Sequence, residues 1–112
     1  KIVALTDDPP ENSCRPAVDV LFRSVAEIYD GYVLAVVLTG MGEDGSKGVA
    51  RLKERGCHCL TQTPESCTVY DMPKAVDRLG LSDESVALPM MASRILQLIE
   101  QSSRSAVLDA QP

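Results

Sequence analysis

Hydrophobic residues recur along this chain in two patterns, one typical of buried strands and one typical of helices. Residues 33–38 (VLAVVL) form a continuous apolar run, as expected for a parallel strand that is covered on both faces. Ahead of this run, apolar residues recur at helical spacing: Val18, Leu21, Phe22, Val25 and Ile28. The spacing predicts a helix that begins near Pro16 and buries this face. Residues 1–6 (KIVALT) are predicted to form a short strand, which an exposed turn follows.

The rest of the chain continues the alternation of strands and helices. The later elements are predicted in this order: a glycine-rich turn at 39–48, a helix at 46–55, a strand at 57–61, a helix at 72–79, a strand at 86–88 and a helix from Pro89. The inward stripe of the last helix is predicted from its spacing to comprise Met91, Ile95, Leu98 and Ile99. A strand, a turn, a helix and a second strand form a βαβ unit with a right-handed crossover. The pattern therefore predicts an α/β fold with parallel strands.

Length and charge limit what this chain can be. Its 112 residues allow one modest core, which we place in residues 1–101, with the polar segment 102–112 as a flexible tail. The net charge of −5 disfavours nucleic acid and anionic membranes as partners. No apolar run approaches a membrane span and no signal peptide is present, so we expect a cytoplasmic location. Because Lys1 stands where a Met would begin a protein, we expect the sequence to be the end of something longer.

The four cysteines have no recognised zinc spacing. With this hydrophobic content the chain needs neither a disulfide nor a metal for stability, so we expect buried, reduced thiols that pack, and no cofactor. On a strand, Cys57 and Cys59 would share one face, while the imidazole of His58 would point to the other. We expect His58 to be an ordinary strand residue rather than a catalytic base.

The glycine-rich turn carries the main chemical signal. Gly40, Gly42 and Gly45 match the spacing G-x-G-x-x-G between a strand and a helix, as in dinucleotide-binding proteins. Two observations oppose that hypothesis. Glu43 and Asp44 would put carboxylates where a pyrophosphate should bind. The second strand ends in residues 61–63 (TQT), where the acidic residue that binds the ribose should stand.

A second interpretation makes the turn part of a hydrolytic site. Ligand sites in open α/β sheets lie at the carboxyl ends of the strands, and glycines leave backbone N–H groups free to stabilise an oxyanion. Asp44 would remain ionised near the start of the helix, where it could orient a histidine in a Ser-His-Asp triad. The simpler alternative is that Asp44 only caps the helix that follows it.

Four ordered blocks resemble the C-terminal part of the catalytic domain of the CheB-type chemotaxis protein-glutamate methylesterases. They are RPAVDVLFRSVA, AVVLTGMGEDGSKGVARLKERG, TQTPESCTVYDMPKAV and VALPMMASRIL. The resemblance implies part of a three-layer α/β/α domain around a mostly parallel sheet. It also implies a cytoplasmic serine hydrolase without a cofactor, which removes methyl groups from glutamate methyl esters on chemoreceptor helices. Members of the family often deamidate receptor glutamines too, and a phosphoacceptor receiver domain commonly precedes the catalytic domain.

The resemblance assigns roles to few residues of this chain. Asp44 matches the catalytic aspartate, and Met41 matches a position whose backbone N–H is associated with the oxyanion hole. Gly40, Gly42 and Gly45 shape the loop that carries both. The family usually has glycine where this chain has Asp71, which puts the conformation of that loop in question.

The family's nucleophilic serine and catalytic histidine lie upstream of the segment that these blocks match. Ser66 and His58 are unsuitable substitutes, since Ser66 lacks a strained elbow and His58 lies across a helix from Asp44. We therefore expect the chain to be inactive by itself. A half domain would also expose a strand edge, which favours self-association. The alternative, from a different functional class, is a non-catalytic interaction domain on the same scaffold.

Overall fold

The computed structural model describes the backbone of residues 1–109 and the side chains of residues 1–103. Its helices are α1 (Val18–Ile28), α2 (Ser46–Glu54), α3 (Asp71–Arg78) and α4 (Leu88–Asp109). Its strands are β1 (Leu34–Val37), β2 (His58–Gln62) and β3 (Glu84–Val86), with a 3₁₀ turn at Pro64–Ser66. The predicted order of the helices and strands from α1 onward is confirmed, and their boundaries move by one or two residues except at the end of α4.

The three strands form a parallel sheet in the order β1-β2-β3. Leu34 pairs with His58 and Leu60 pairs with Glu84. Parallel neighbours need crossover connections, and here α2 joins β1 to β2 while α3 joins β2 to β3. The fold class is therefore α/β, as predicted. Within residues 1–109, the outer edge of β1 pairs with no other strand.

Helices cover both faces of this sheet. The core cluster joins Ala35 and Val37 of β1 to the buried side chains of α1, α2 and α3: Ala26, Val49, Leu52 and Val76. Because side chains alternate along a strand, Leu34 and Leu60 point to the opposite face. Helix α4 lies on that second face, where Arg94 contacts Glu84, the register partner of Leu60. The three layers are thus α1 to α3, the sheet, and α4.

The structure corrects several details of the sequence pattern. Residues 1–6 form no strand, and Ile2 and Val3 are each 91% exposed, because no described segment pairs with them. In α1, Leu21 and Ile28 are exposed, although the spacing placed them in the buried stripe. The stripe of α4 holds for Met91 but not for Ile99, which is exposed.

Helix α4 also continues through part of the segment predicted as a tail. Its backbone is helical to Asp109, and residues 110–112 lie outside the described residues. No glycine or proline occurs between Ser102 and Asp109 to end the helix. Extending an existing helix costs little compared with starting one. No helix in the described part of the chain is long and apolar enough to cross a membrane.

The cysteines follow the predicted geometry of the second strand. Cys57 and Cys59 are buried on one face, with 3% and 1% of their surfaces exposed, and His58 between them is half-buried. Burial raises the pKa of Cys59 to about 11. Its thiol is therefore protonated and inert at neutral pH. Cys14 is exposed and Cys67 is only partly buried, so the expectation of burial was wrong for these two.

Candidate active site

The glycine-rich loop connects the carboxyl end of β1 to the start of α2, at the edge of the sheet where α/β proteins bind ligands. Gly42 and Gly45 adopt positive φ angles of 82° and 111°, a region that favours glycine. Gly45 is the N-cap residue of α2, so that helix begins without a capping side chain of its own. The loop therefore needs hydrogen-bond partners from elsewhere.

Asp44 lies in this loop, and its carboxylate binds the start of a different helix. Oδ2 accepts a hydrogen bond from the backbone N–H of Val18 at 2.7 Å, and Oδ1 accepts one from that of Asp19 at 2.9 Å. The N-cap residue of α1 is Ala17, which has no side chain that could do this. Asp44 thus caps α1, so the alternative that it caps the helix after it is wrong.

Asp19 supplies the matching contact in the other direction. Its Oδ1 accepts hydrogen bonds from the backbone N–H groups of Gly45 at 3.0 Å and Gly48 at 2.7 Å. Asp19 is 1% exposed, and the sequence pattern did not single it out. The one available signal was indirect, since neither Ala17 nor Gly45 can cap its own helix. The N–H groups of Gly45 and Gly48 at the start of α2 are therefore already bonded, which opposes the binding of a pyrophosphate there.

Asn12 connects the two carboxylates. Its Nδ2 donates to Asp19 Oδ2 at 2.7 Å and to Asp44 Oδ1 at 3.0 Å. A tight turn presents this side chain, because Glu11 and Cys14 exchange backbone hydrogen bonds while Asn12 and Ser13 adopt positive φ angles of 54° and 62°. This second residue was also missed from the sequence.

The hydrogen bonds keep Asp44 ionised despite its burial. Only 7% of its surface is exposed, and burial by itself would raise the pKa of the carboxyl. Hydrogen bonds from the N–H groups of Asp19 and Val18 and from the Asn12 amide outweigh this effect, so the pKa lies below its usual value. Asp44 is thus a buried anion at neutral pH, held in one orientation.

The first part of the loop is fixed to the neighbouring segment before α3. Gly40 donates to the carbonyl of Val69 at 2.9 Å and accepts from the N–H of Met72 at 3.1 Å. The N–H of Thr39 donates to Oε1 of the fully buried Gln62 at 2.8 Å. A Cβ on Gly40 would lie 2.4 Å from the sulfur of Met72, so glycine allows this close approach.

Met41 projects from the loop between these two anchored parts. Its side chain is 79% exposed, and its backbone N–H donates no hydrogen bond to a residue in 1–109. Asp71 begins α3 beside it and lies 3.4 Å from the N–H of Gly42. A depression of about 250 Å³ adjoins the loop, lined by Gly42, Glu43, Asp71, Lys74, Ala75 and Arg78.

His58 lies away from Asp44 in the fold, and the Ser66 hydroxyl is bonded to other groups. His58 begins β2, at the end of the sheet opposite the loop, where its Nε2 lies 2.9 Å from Glu84 Oε2. Ser66 ends the 3₁₀ turn, and its hydroxyl accepts the N–H of Leu88. The two residues therefore form no triad with Asp44. The described residues contain no cluster of three His, Cys, Asp or Glu side chains arranged to hold a metal ion.

A parallel α/β sheet that presents a buried, ionised carboxylate on a glycine-rich loop defines a class of α/β proteins with a site at the carboxyl edge of the sheet. Within that class, the chain belongs to the CheB methylesterase family, which matches residues 1–95.

Curated relatives are described as methylesterases too. The "Protein-glutamate methylesterase/protein-glutamine glutaminase" of Desulfotalea psychrophila is 47% identical over 100 residues, which are 89% of this chain and 28% of that protein. The protein of the same description from Trichodesmium erythraeum is 52% identical over 91 residues, 81% of this chain and 26% of that protein. The chain thus spans about a quarter of the length of these relatives.

A solved structure matches the fold. The CheB methylesterase catalytic domain of Thermotoga maritima is 36% identical with a TM-score of 0.79, and the match covers 81% of this chain and 48% of that domain. The present fold is therefore part of such a catalytic domain, in agreement with the prediction of a partial domain.

Proposed function

We propose that this chain forms part of the active site of a protein-glutamate methylesterase, a carboxylic-ester hydrolase, with Asp44 as the carboxylate of a Ser-His-Asp triad. The observation that carries the proposal is the buried, ionised Asp44, held by three N–H donors at the carboxyl edge of the sheet. The described function of the relatives supports the reaction type.

The hydrogen bonds of Asp44 indicate where a histidine would bind. A carboxylate offers about four acceptor positions, two on each oxygen. Oδ1 already accepts from Asn12 and Asp19, whereas Oδ2 accepts only from Val18. We place the N–H of the catalytic imidazole on the remaining position of Oδ2. There the carboxylate would fix the tautomer of the imidazole and stabilise its positive charge.

The histidine must come from residues outside these 112, because the chain contains one histidine and His58 is bound at the opposite end of the sheet. The nucleophilic serine has the same origin. In the proposed reaction the serine oxygen attacks the ester carbonyl carbon while the histidine takes its proton. The N–H of Met41 donates to the oxyanion of the tetrahedral intermediate.

The methyl ester then breaks at its acyl C–O bond, and the histidine returns its proton to the departing methoxide. Methanol leaves, and a water molecule attacks the acyl-serine by the same route. The products are a glutamate carboxylate, methanol and the free serine. Each proton is transferred by histidine, so the reaction as proposed requires no metal or organic cofactor.

The proposed substrates are methylated glutamates on the cytoplasmic helices of chemoreceptors, which would place the protein in the cytoplasm as part of chemotaxis signalling. We also propose that a receiver domain precedes the catalytic domain in the whole protein. A glutamine side chain presents a similar carbonyl, with ammonia as the leaving group. The relatives' description as glutaminases supports this second activity on the same site.

The test is an assay of methanol and ammonia release from methylated receptor, with the full-length protein and the isolated 112-residue chain in parallel. We expect turnover by the full-length protein and none by the chain. A serine-directed fluorophosphonate should label the full-length protein at a residue outside the chain. A folded full-length protein that binds receptors without releasing either product would support the interaction domain instead.

A further inference from the structure

We propose that Asp19 is the positioning residue that sets the orientation of Asp44, an inference that rests on the proposed function. Asp19 does not contact the reacting atoms in this arrangement. It acts through Asp44, which it holds from two sides.

The first contact is with the Asp44 side chain. The backbone N–H of Asp19 donates to Oδ1 of Asp44 at 2.9 Å. Together with the N–H of Val18 on Oδ2, this bond fixes the plane of the carboxylate against the first turn of α1. The open acceptor position on Oδ2 therefore has a defined direction.

The second contact is with the Asp44 backbone. The N–H of Gly45 belongs to the peptide bond that follows Asp44, and it donates to Oδ1 of Asp19 at 3.0 Å. Gly45 has a φ of 111°, and a glycine can rotate about its backbone bonds more freely than other residues. The orientation of the peptide between Asp44 and Gly45 is therefore not fixed by Gly45 itself. The Asp19 carboxylate supplies the missing constraint, and the bond from Gly48 anchors that carboxylate to α2 at 2.7 Å.

Asp19 is deeply buried, and all of its buried charge is compensated by hydrogen bonds. A carboxylate that is 1% exposed loses its hydration, and here it recovers three hydrogen bonds, from Gly45, Gly48 and Asn12. A serine or threonine at position 17, where the backbone is extended, would cap α1 at a smaller cost. The present arrangement differs because both caps involve Asp44: its carboxylate caps α1, and the peptide N–H that follows it binds the Asp19 carboxylate.

The experiment is a double-mutant cycle in the full-length protein, with kcat and KM for methanol release measured per folded molecule. We expect Asp19→Ala to lower kcat about 10²-fold with KM unchanged, because it removes the carboxylate that holds the Gly45 N–H and the Asn12 amide beside Asp44. The backbone N–H of residue 19 and the substrate contacts are not altered. If Asp19 acts through Asp44, the double variant Asp19→Ala/Asp44→Ala will be no slower than Asp44→Ala. A residue with an independent structural role would instead multiply the two effects.

Two further variants separate positioning from folding. Asp19→Asn keeps an oxygen that can accept from the N–H groups of Gly45 and Gly48. Its NH₂ group would face the NH₂ group of Asn12, so that hydrogen bond is lost and we expect an intermediate kcat. This variant also provides the measurement if Asp19→Ala does not fold, and wild-type turnover would then contradict the proposal. Asp83→Ala is the control, since Asp83 accepts the N–H of Cys59 at 2.8 Å at the other end of the sheet. It should lower stability and leave kcat per folded molecule unchanged.

The outcomes also distinguish this inference from the proposed function. Wild-type turnover by Asp44→Ala would overturn the proposed function and the inference with it. An inactive Asp44→Ala together with wild-type turnover by Asp19→Ala, or with multiplicative effects in the double variant, would overturn the inference alone.

Discussion

Asp19 and Asp44 cap each other's helices. Asp19 belongs to α1 and binds the start of α2, whereas Asp44 lies just before α2 and binds the start of α1. Asp44 accepts from the first turn of α1, which contains Asp19, and Asp19 accepts from Gly45 and Gly48 at the start of α2. Both helix starts lack a capping side chain of their own. The same exchange therefore completes two helices and orients the candidate catalytic carboxylate.

The exchange predicts that Asp44→Ala destabilises the fold as well as the site. The variant leaves the N–H groups of Val18 and Asp19 without their partner, which costs about 1–3 kcal/mol of unfolding free energy. Because the folded-state pKa of Asp44 lies below the unfolded value, its stabilisation is complete above the unfolded pKa and is lost as the pH falls through the folded one. Urea unfolding of both proteins at neutral and acid pH measures this.

The control for that experiment is Glu43→Ala, which removes an exposed carboxylate next to Asp44 that caps no helix. It should leave the unfolding free energy nearly unchanged at each pH. A gap between wild type and Asp44→Ala that widens in acid would contradict the explanation by hydrogen bonds to the ionised form.

Gly48 permits the close contact between α1 and α2. A Cβ at this position would lie 2.4 Å from Cβ of Phe22 and 3.2 Å from Oδ1 of Asp19. The intrinsic helix propensity of alanine would favour Gly48→Ala by about 1 kcal/mol, but overpacking costs about 1–3 kcal/mol, so we expect a net loss of stability. Thermal unfolding measures it, with the exposed neighbour in Lys47→Ala as a neutral control. A Gly48→Ala protein more stable than wild type would refute this packing argument.

Glu84 of β3 connects α4 to the sheet through hydrogen bonds from Arg94. Hydrogen bonds from Arg94 and then from His58 lower the pKa of Glu84 to about 2. Its contribution to stability is therefore present above the unfolded pKa near 4.5 and is lost as the pH falls toward 2. We expect Glu84→Gln to weaken the fold at neutral pH and to differ little from wild type near pH 2.

Chemical denaturation across this pH range tests the role of Glu84, with activity as the second readout. Because Glu84 lies at the end of the sheet opposite the loop, kcat per folded molecule should not change. Equal stability of Glu84→Gln and wild type at neutral pH would show that the contact with Arg94 contributes nothing measurable.

The free edge of β1 predicts that the isolated 112-residue chain self-associates. Leu34 and Val36 are only half-buried, and within the described residues no strand pairs with this edge. Sedimentation velocity over a concentration series should detect oligomers whose share increases with concentration. A stable monomer at all concentrations would contradict the prediction.

The sequence predicted the elements from α1 onward well because their boundaries are local. These elements depend on neighbours a few residues away. Examples are the continuous apolar run of β1, the buried Val49 and Leu52 of α2, and the turn glycines. Residues 1–6 contain a short apolar run that could form a strand, but they lie unpaired, since a strand needs a partner that local pattern cannot supply.

The candidate site was only half predictable for a similar reason. The loop and Asp44 follow from glycine spacing and from the resemblance, whereas the spacing of apolar residues in α1 does not single out Asp19. Its burial results from backbone N–H groups more than 25 positions along the chain, as the contact with Gly45 shows. No hydrophobic period reports such a contact, because the partner is backbone rather than an apolar side chain.

The most direct test of the account is the turnover of Asp44→Asn in the full-length protein, with methanol release from methylated receptor measured per folded molecule. Asparagine keeps the size of the side chain but removes the charge that would orient and stabilise the histidine. The account predicts a fall in kcat on the order of 10⁴ with receptor binding retained. Turnover at the wild-type rate would contradict it.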